Sequence, residues 1–271
     1  MDFELPEEIR MFRESVRDFA RREIAPLVEE AERDERTPRQ LFAKAGEAGL
    51  LGIRYPVELG GAGATVLAEA VLREELGYVC SGIAAALSVS SHLGTYPIHA
   101  FGTEDQMKKY LVPALTGEKV SAFGLTEPNA GSDVRGIQTK AVRGDGGWVL
   151  NGTKTFITNA PIADFLIVVA YTDPAAGVEG MGLFVVETST QGVGVNRIKK
   201  MGNLSSEIAE VVLDDVFVSE EACLGGDRGA FKKVMTTLNI GRVVVAGGAI
   251  GVAQAALDGA VEYAKDRKAF G

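Results

Sequence analysis

The chain has few of the residues that build disulfide frameworks and metal centres. Its 271 residues include two cysteines, Cys80 and Cys223, and two histidines, His92 and His99. Two widely separated thiols are too few for a disulfide framework, and neither histidine has a second His or Cys at ligand spacing. We therefore interpret both cysteines as ordinary buried thiols and expect no metal site.

Positive charge is also scarce. The sequence holds 28 Lys and Arg against 37 Asp and Glu, a formal net charge of -9. A surface of this sign repels the phosphate backbone of nucleic acids, so nucleic-acid binding is not expected. With 46% hydrophobic residues, a chain of this length can bury a sizeable core, and we expect two domains.

Targeting and membrane segments are not evident. Residues 1–8 carry four acidic side chains and do not resemble a signal peptide, so we expect a cytoplasmic protein. The most apolar stretch, Ile240 to Leu257, is short for a membrane span and contains Arg242 and Gln254. We predict that it forms a buried helix.

No dinucleotide-binding fingerprint is present. Gly60 to Gly63 is rich in glycine, but it lacks both the G-x-G-x-x-G order and the lysine of a phosphate loop. A surface turn is the better interpretation of this segment.

The first part of the chain has the periodicity of helices. Apolar residues recur at spacings of three and four from Ile9 to Phe19, which places them on one helical face. Thr103 to Gln106 is typical of a capping box at a helix start. Further helices are predicted over residues 38–48, 66–77 and 82–93. This part is predicted to be all-α.

Short β-branched and aromatic runs follow from Val120 to Val218. Asp145–Gly147 and Asn151–Gly152 are typical of hairpin turns. The predicted strands are Trp148–Leu150, Thr155–Thr158, Phe165–Val169, Leu183–Val186 and Glu210–Leu213. Strands with turns and no helices between them predict an antiparallel sandwich or barrel. A final helix is predicted from about Ala230 to Ala269.

One run carries most of the functional information. Phe123-Gly-Leu-Thr-Glu-Pro-Asn-Ala-Gly-Ser-Asp133 joins an apolar strand to a turn in which Gly131 can take a positive φ and Pro128 fixes its own. The run resembles the signature of the acyl-CoA dehydrogenase family, FAD enzymes that introduce an α,β double bond into acyl-CoA thioesters. The order of helices, strands and helix is also that of the family, so the resemblance covers the whole chain.

The resemblance implies an α+β multi-domain architecture. We expect an N-terminal all-α domain over residues 1–119, a central β-domain over 120–225, and over 226–271 the first long helix of a C-terminal four-helix bundle. In the family this last domain continues for roughly another hundred residues, an ordinary domain-sized piece. We therefore expect a fragment, or a split or abbreviated member of the family, and we expect the isolated 271-residue chain to be inactive.

The signature also implies residues that contact the flavin. By motif position, Phe123, Leu125 and Thr126 would line the ring, with the strand backbone and the Thr126 hydroxyl bonding its polar pyrimidine edge. Gly131 and Ser132 would reach the FAD phosphates and the substrate side. The motif usually has Tyr where this chain has Phe123, so one hydroxyl contact is absent.

A second match is Asn151-Gly-Thr-Lys-Thr-Phe-Ile-Thr-Asn159. The resemblance places Phe156, Ile157 and Thr158 against the flavin, where an aromatic ring supplies apolar contact and offset stacking. Many relatives have Trp at the position of Phe156. The alternative for Phe156 is an ordinary strand residue of the core.

The final helix carries further matches. The family has a substrate-contacting acidic residue at the position where this chain has Asn239. It also has an Arg for the CoA portion at the position of Arg242, whose planar fork suits phosphate. The alternative for Arg242 is an ion pair within the helices. Arg267 and Phe270, in an R-x-x-F-G element, would contact the FAD of a neighbouring subunit. The implied assembly is a dimer or tetramer.

No catalytic base is assigned. The reaction needs a carboxylate to remove the α-proton, and one branch of the family supplies it at the position that is Gly241 here, while the commoner branch supplies it beyond residue 271. Glu127 and Asp133 are expected to cap backbone groups instead.

Three functions remain open at this point. The leading one is acyl-CoA dehydrogenation with electrons passed to an electron-transfer flavoprotein, in fatty acid metabolism. A flavin monooxygenase or oxidase of the same fold is the second. A non-catalytic subunit or fragment, which needs a partner chain for the base, is the third.

Overall fold

The structure, a computed structural model, describes residues 4–270. Gly271, the last residue of the predicted R-x-x-F-G element, lies outside this range. The α-helices of the described residues are α1 Glu7–Phe19, α2 Val28–Arg33, α3 Gln40–Glu47, α4 Val66–Val79, α5 Ser81–Ser88, α6 Tyr96–Phe101, α7 Glu104–Gln106, α8 Val112–Leu115 and α9 Ala230–Asp266. The strands are β1 Ser121–Gly124, β2 Lys140–Gly144, β3 Gly147–Thr158, β4 Phe165–Tyr171, β5 Met181–Glu187, β6 Val193–Arg197 and β7 Ile208–Ser219.

The helices α1 to α8 form the predicted all-α region. In α1 the buried residues are Ile9, Val16 and Phe19, which the apolar spacing places on one face. The capping box before α7 is confirmed, because the Thr103 hydroxyl accepts the N–H of Gln106 and the Gln106 side chain accepts the N–H of Thr103. Both orphan donors at this helix start are thereby satisfied.

A curled seven-stranded sheet forms the central region. Its strand order is β1-β4-β2-β3-β7-β6, with β5 paired to β4. The pairings of β3 with β7 and of β4 with β5 are antiparallel, whereas β1 lies parallel to β4. The predicted fold class is confirmed. The sheet is mixed and not purely antiparallel, since both β1 and β2 lie parallel to β4.

The two predicted hairpin turns have opposite outcomes. Asp145–Gly147 does connect β2 to β3, with Gly144 paired to Gly147. Asn151–Gly152 is not a turn, because both residues lie inside β3. A Cβ at Gly152 would lie 2.3 Å from the Thr139 hydroxyl, so glycine here permits close packing within the strand.

The long helix α9 packs on α4 through glycines. A Cβ at Gly247 would lie 2.4 Å from the Ala70 carbonyl oxygen, and one at Gly251 would lie 1.9 Å from that of Glu74. The prediction of a buried helix at Ile240–Leu257 is wrong, since Val245 is 70% exposed and other apolar side chains of this stretch are also open. The buried residues of this stretch are Val244, Gly247 and Gly251. By length and composition α9 could cross a membrane.

The prediction that both cysteines are buried is correct for only one of them. Cys80 is buried, as predicted, whereas Cys223 is half-buried. Burial raises the pKa of the Cys223 thiol to about 11, so it is protonated at neutral pH.

Candidate functional site

A cavity of about 480 Å³ lies between the segment that follows β1 and the first turns of α9. We call it the signature cavity. Its lining includes Leu125, Thr126, Gly131 and Ser132 from the signature run, and Arg242 from α9. The structure therefore brings five of the predicted site residues to one place, although more than a hundred positions separate them in the sequence.

A buried ion pair holds the start of this segment. The Lys154 ammonium donates to the Glu127 carboxylate at 2.7 Å and to the carbonyl oxygen of Leu125 at 3.2 Å. Both side chains are almost completely buried. Burial lowers the pKa of Lys154, although Glu127 opposes the shift. Burial raises the pKa of Glu127, but Lys154 and Thr139 outweigh it and leave that pKa below its usual value.

The carboxylates of the signature act as predicted. Glu127 accepts the backbone N–H of Gln138 and, at 3.1 Å, that of Thr139. Asp133 accepts the N–H of Arg135 at 3.2 Å and also pairs with its side chain. Both therefore cap backbone groups. The sequence reasoning missed the partner of Glu127, because Lys154 lies between two threonines and its burial is not evident from its neighbours in the sequence.

Gly131 does not use the left-handed conformation expected of it, since it is not among the glycines with a positive φ. A Cβ at this position would meet no atom within 4 Å. What glycine offers here is free space beside the cavity. A ligand can approach the backbone of the turn closely at this point.

Phe156 is the most unusual residue of the second motif. It lies at a register shift between β3 and β7, has a φ of 57°, and is 63% exposed. A bulge of this kind redirects a side chain, here away from the core. The neighbouring Thr155 N–H donates to the Thr126 carbonyl oxygen at 2.8 Å, so the bulge is joined directly to the signature segment.

Two predicted flavin contacts are buried instead of open. Phe123 is 9% exposed and Ile157 is 2% exposed, and neither lines the signature cavity. Each packs in a hydrophobic core of the sheet. Leu125 is buried to a similar degree, at 7% exposed, but it lines the signature cavity together with Thr126. These two residues are therefore better placed than Phe123 to meet a ligand.

Several hydroxyl groups in and near the two motifs have no hydrogen-bond partner among the described residues. The hydroxyls of Thr126 and Ser132 make no hydrogen bond within residues 4–270, and neither does that of Thr158 beside Phe156. Hydroxyl groups next to a cavity and an open aromatic ring fit a flat ligand with polar edges and phosphates. The residues present therefore fit FAD.

The α9 wall of the cavity is mostly apolar. Phe231, Met235 and Leu238 line it together with Arg242, and their spacing of four, three and four follows one helical face. The sequence reasoning missed these three, although that periodicity was visible. The Arg242 side chain donates to the Asn239 side chain, and no carboxylate within the described residues forms an ion pair with it. The ion-pair alternative for Arg242 therefore has no support in the structure.

Three family profiles match consecutive parts of the chain. The acyl-CoA dehydrogenase N-terminal domain matches residues 6–118, the middle domain residues 122–216, and the C-terminal domain residues 228–271. The chain belongs to the acyl-CoA dehydrogenase family. Members of this family are oxidoreductases that act on CH–CH bonds, and the present chain is an enzyme of this class.

Individual relatives match over nearly the whole chain. An acyl-CoA dehydrogenase of Bacillus subtilis is 42% identical over 96% of this chain and 69% of its own length. The caffeyl-CoA reductase–Etf complex subunit of Acetobacterium woodii is 40% identical over 98% of this chain and 70% of its own. The structure of butyryl-CoA dehydrogenase from Megasphaera elsdenii superimposes with a TM-score of 0.94 and 40% identity, over 100% of this chain and 72% of its own.

Arg267 and Phe270 lie far from the signature cavity of the same chain. Both are exposed beyond the end of α9. The helical rise separates Arg267 from Arg242 by about 37 Å. In this acyl-CoA dehydrogenase the two residues therefore do not contribute to the cavity of their own chain.

His92 joins the helical domain to the start of α9. Its Nε2 lies 3.0 Å from the Thr237 carbonyl oxygen, and a carbonyl only accepts, so Nε2 carries the proton. Burial lowers the pKa of His92, which keeps the ring neutral at pH 7. Gly241 lies beside this ring, because a Cβ there would be 3.7 Å from it. The sequence reasoning assigned no such role to His92.

Proposed function

We propose that this chain binds FAD and takes part in the α,β-dehydrogenation of an acyl-CoA thioester. The observation that carries the proposal is the signature cavity, in which uncommitted hydroxyls of the signature face an unpaired cation on α9. FAD, when bound, accepts the β-hydrogen as a hydride. The chain's own residues bind and orient the two ligands.

Each wall of the cavity has its own part in the proposal. Leu125 offers apolar contact to the ring, and the Thr126 hydroxyl donates to its pyrimidine edge. Ser132 and the open backbone at Gly131 receive the phosphates and the substrate side. Phe156 and Thr158 form a second contact region outside the lining of the cavity, in which Phe156 presents its ring openly, and the buried Ile157 supports this region from the core.

Substrate binding is proposed for the α9 wall, with Ser132 on the opposite side. Arg242 pairs with anionic groups of CoA, and Asn239 orients the Arg242 side chain through their hydrogen bond. Phe231, Met235 and Leu238 exclude water from the thioester region. No base is assigned, because Asp133 is the only carboxylate that lines this cavity among residues 4–270, and it pairs with Arg135.

An electron-transfer flavoprotein is the proposed electron acceptor. Support comes from the relative in Acetobacterium woodii, which is a subunit of a complex with such a protein. We also propose a homo-oligomer, a dimer or tetramer, in which Arg267 and Phe270 contact the FAD of a neighbouring subunit. A cytoplasmic location and the domain boundaries 1–119, 120–225 and 226–271 belong to the same proposal.

Ligand binding by the purified protein tests this function. We expect FAD near one per chain, and acyl-CoA binding that Arg242→Ala weakens by about tenfold or more, since one charge-assisted contact is lost. FAD affinity should change little in this variant. Lys232→Ala, which removes an exposed cation of α9 outside the cavity, is the matched control and should leave both affinities unchanged.

Two results would contradict the proposal. Protein that takes up no FAD under any loading condition would remove the flavoenzyme assignment. Equal acyl-CoA affinities of Arg242→Ala and the parent, in folded protein, would remove Arg242 from the substrate site.

A further inference from the structure

A second cavity of about 480 Å³ lies between α4, α5 and α9. We call it the tail cavity. Its walls are mostly small or apolar and include Ala85, Val245 and Ala249. Such a lining suits an aliphatic chain, because apolar surface is what a hydrocarbon displaces favourably from water.

The tail cavity and the signature cavity lie along one face of α9. Leu238 and Arg242 line the signature cavity, and Val245, Ala249 and Val252 line the tail cavity. The spacings of four, three, four and three residues keep all five side chains on the same helical stripe. A ligand whose charged end meets Arg242 would therefore extend along α9 into the tail cavity.

Arg73 breaks the apolar character of the tail cavity. It lines the cavity from α4 and is 3% exposed. One guanidinium nitrogen donates to the Ala84 carbonyl oxygen at 3.3 Å and another to the Ser91 hydroxyl, whereas Nε has no partner. Burial lowers the pKa of Arg73 to about 10, so the group is still cationic at neutral pH.

No carboxylate neutralises this cation within residues 4–270. Glu69 is the acidic group whose charge acts on Arg73, but its carboxylate forms an ion pair with Arg54 at 3.0 Å. A buried charge without an ion partner is costly. Buried groups with displaced pKa values are concentrated at functional sites, and a bound anion would supply the charge that this cation lacks.

We propose that Arg73 selects acyl-CoA substrates whose acyl group ends in a carboxylate. The thioester lies in the signature cavity, the aliphatic part follows the α9 stripe, and the terminal carboxylate pairs with Arg73 at the wall of the tail cavity. This inference rests on the proposed function, since it names the substrate class of the same site.

Matched CoA thioesters test the selectivity in FAD-loaded protein. Glutaryl-CoA is compared with 5-methylhexanoyl-CoA, and adipoyl-CoA with 6-methylheptanoyl-CoA, because each pair exchanges a terminal carboxylate for an isopropyl group of similar shape. Dissociation constants are measured by calorimetry. We expect one or both dicarboxylyl esters to bind about tenfold or more tightly than their partners.

Variants of Arg73 separate selection from a structural role. Arg73→Met should abolish or reverse the preference, and Arg73→Lys should retain part of it because the charge remains. Since Arg73→Met removes an unpaired buried charge, its melting temperature should be unchanged or higher. Arg13→Met is the control: it breaks ion pairs with Glu74 and Glu75 on α4, and should lower the melting temperature without changing the preference.

The outcomes are distinguishable. If no CoA ester binds, the proposed function fails. If the branched esters bind at least as tightly as both dicarboxylyl esters in the parent protein, the role of Arg73 is overturned while the proposed function stands. An unchanged preference in folded Arg73→Met would overturn it as well.

Discussion

At the scale of single residues, Phe156 combines an exposed aromatic ring with a disfavoured backbone conformation. A non-glycine residue with a φ of 57° is disfavoured by contact of its Cβ with the backbone. The ring gains little burial in return, since it is 63% exposed. Strain kept without packing is typical of positions that serve a ligand.

Two substitutions at this position separate the ring from the strain. Phe156→Ala and Phe156→Gly should both weaken FAD binding, by about tenfold, because stacking on the flavin is lost. Without FAD, Phe156→Gly should be more stable than Phe156→Ala by about 1 kcal/mol, since glycine adopts a positive φ freely. Urea unfolding and FAD titration measure the two effects.

The exposed ring of Phe217 on β7 supplies the control. Phe217→Ala should leave FAD affinity unchanged. An apo Phe156→Gly protein less stable than Phe156→Ala would show that the backbone at this position is not strained.

At the scale of elements, the α4–α9 contact depends on glycine. The carbonyl oxygens of Ala70 and Glu74 occupy the space that side chains at Gly247 and Gly251 would need. Close approach of the two helices places Arg242 opposite the signature and Val245 beside the tail cavity. Glycine lowers helix stability by itself, so its presence here reflects packing.

Substitution by alanine should therefore change the free energy of unfolding in opposite directions at two glycines of α9. Gly251→Ala should destabilise the protein by about 1–3 kcal/mol, because its Cβ would lie 1.9 Å from a backbone oxygen. Gly259→Ala should stabilise it by about 0.5–1 kcal/mol, since no atom lies within 4 Å of the new Cβ. Urea unfolding measures both, and a stable Gly251→Ala protein would contradict the packing.

At the scale of the whole molecule, the helical domain and the sheet are joined by buried polar contacts. The Glu32 carboxylate of α2 accepts the backbone N–H groups of Leu204 and Ser205 at 3.2 and 3.0 Å. Nearby, Thr37 donates its hydroxyl to the Ser205 carbonyl oxygen at 2.8 Å. These contacts fix the segment before β7 against the helices.

Glu32 should make the stability of this docking depend on pH. Burial raises the pKa of Glu32, but the hydrogen bonds from Ser205 and Leu204 and the charge of Lys200 outweigh it and leave the pKa below the usual 4.5. Between the folded and unfolded pKa values the unfolded chain binds more protons, so the contribution is complete above pH 4.5 and is lost as the pH falls through the folded pKa.

Comparison of Glu32→Gln with the parent measures this contribution. At pH 7 the variant should unfold with a free energy about 1–2 kcal/mol lower, because a charged acceptor is replaced by a neutral one. The difference should narrow below pH 4.5. Glu29→Gln, an exposed neighbour on α2, is the control. A constant difference from pH 7 to pH 3 would show that Glu32 does not titrate with folding.

The sequence by itself determined what depends on neighbouring residues. The capping box at Thr103 and the hairpin turn at Asp145–Gly147 could be read directly, because their hydrogen bonds span only a few positions. The signature run likewise indicated the family and five of the eleven residues that line the signature cavity. The all-α, then β, then helical order followed from periodicity, which is also a local property.

Tertiary structure decided what depends on contacts between distant segments. Asn151–Gly152 has the composition of a turn, yet pairing with β7 keeps it within β3. Phe123 and Ile157 became core residues, and the stretch after Ile240 stayed largely exposed, because burial depends on which element packs against each face. The helical periodicity of the sequence does not distinguish Arg73 from other charged residues of α4. Its importance comes from the helices that surround it, which remove water from its charge without supplying an anion.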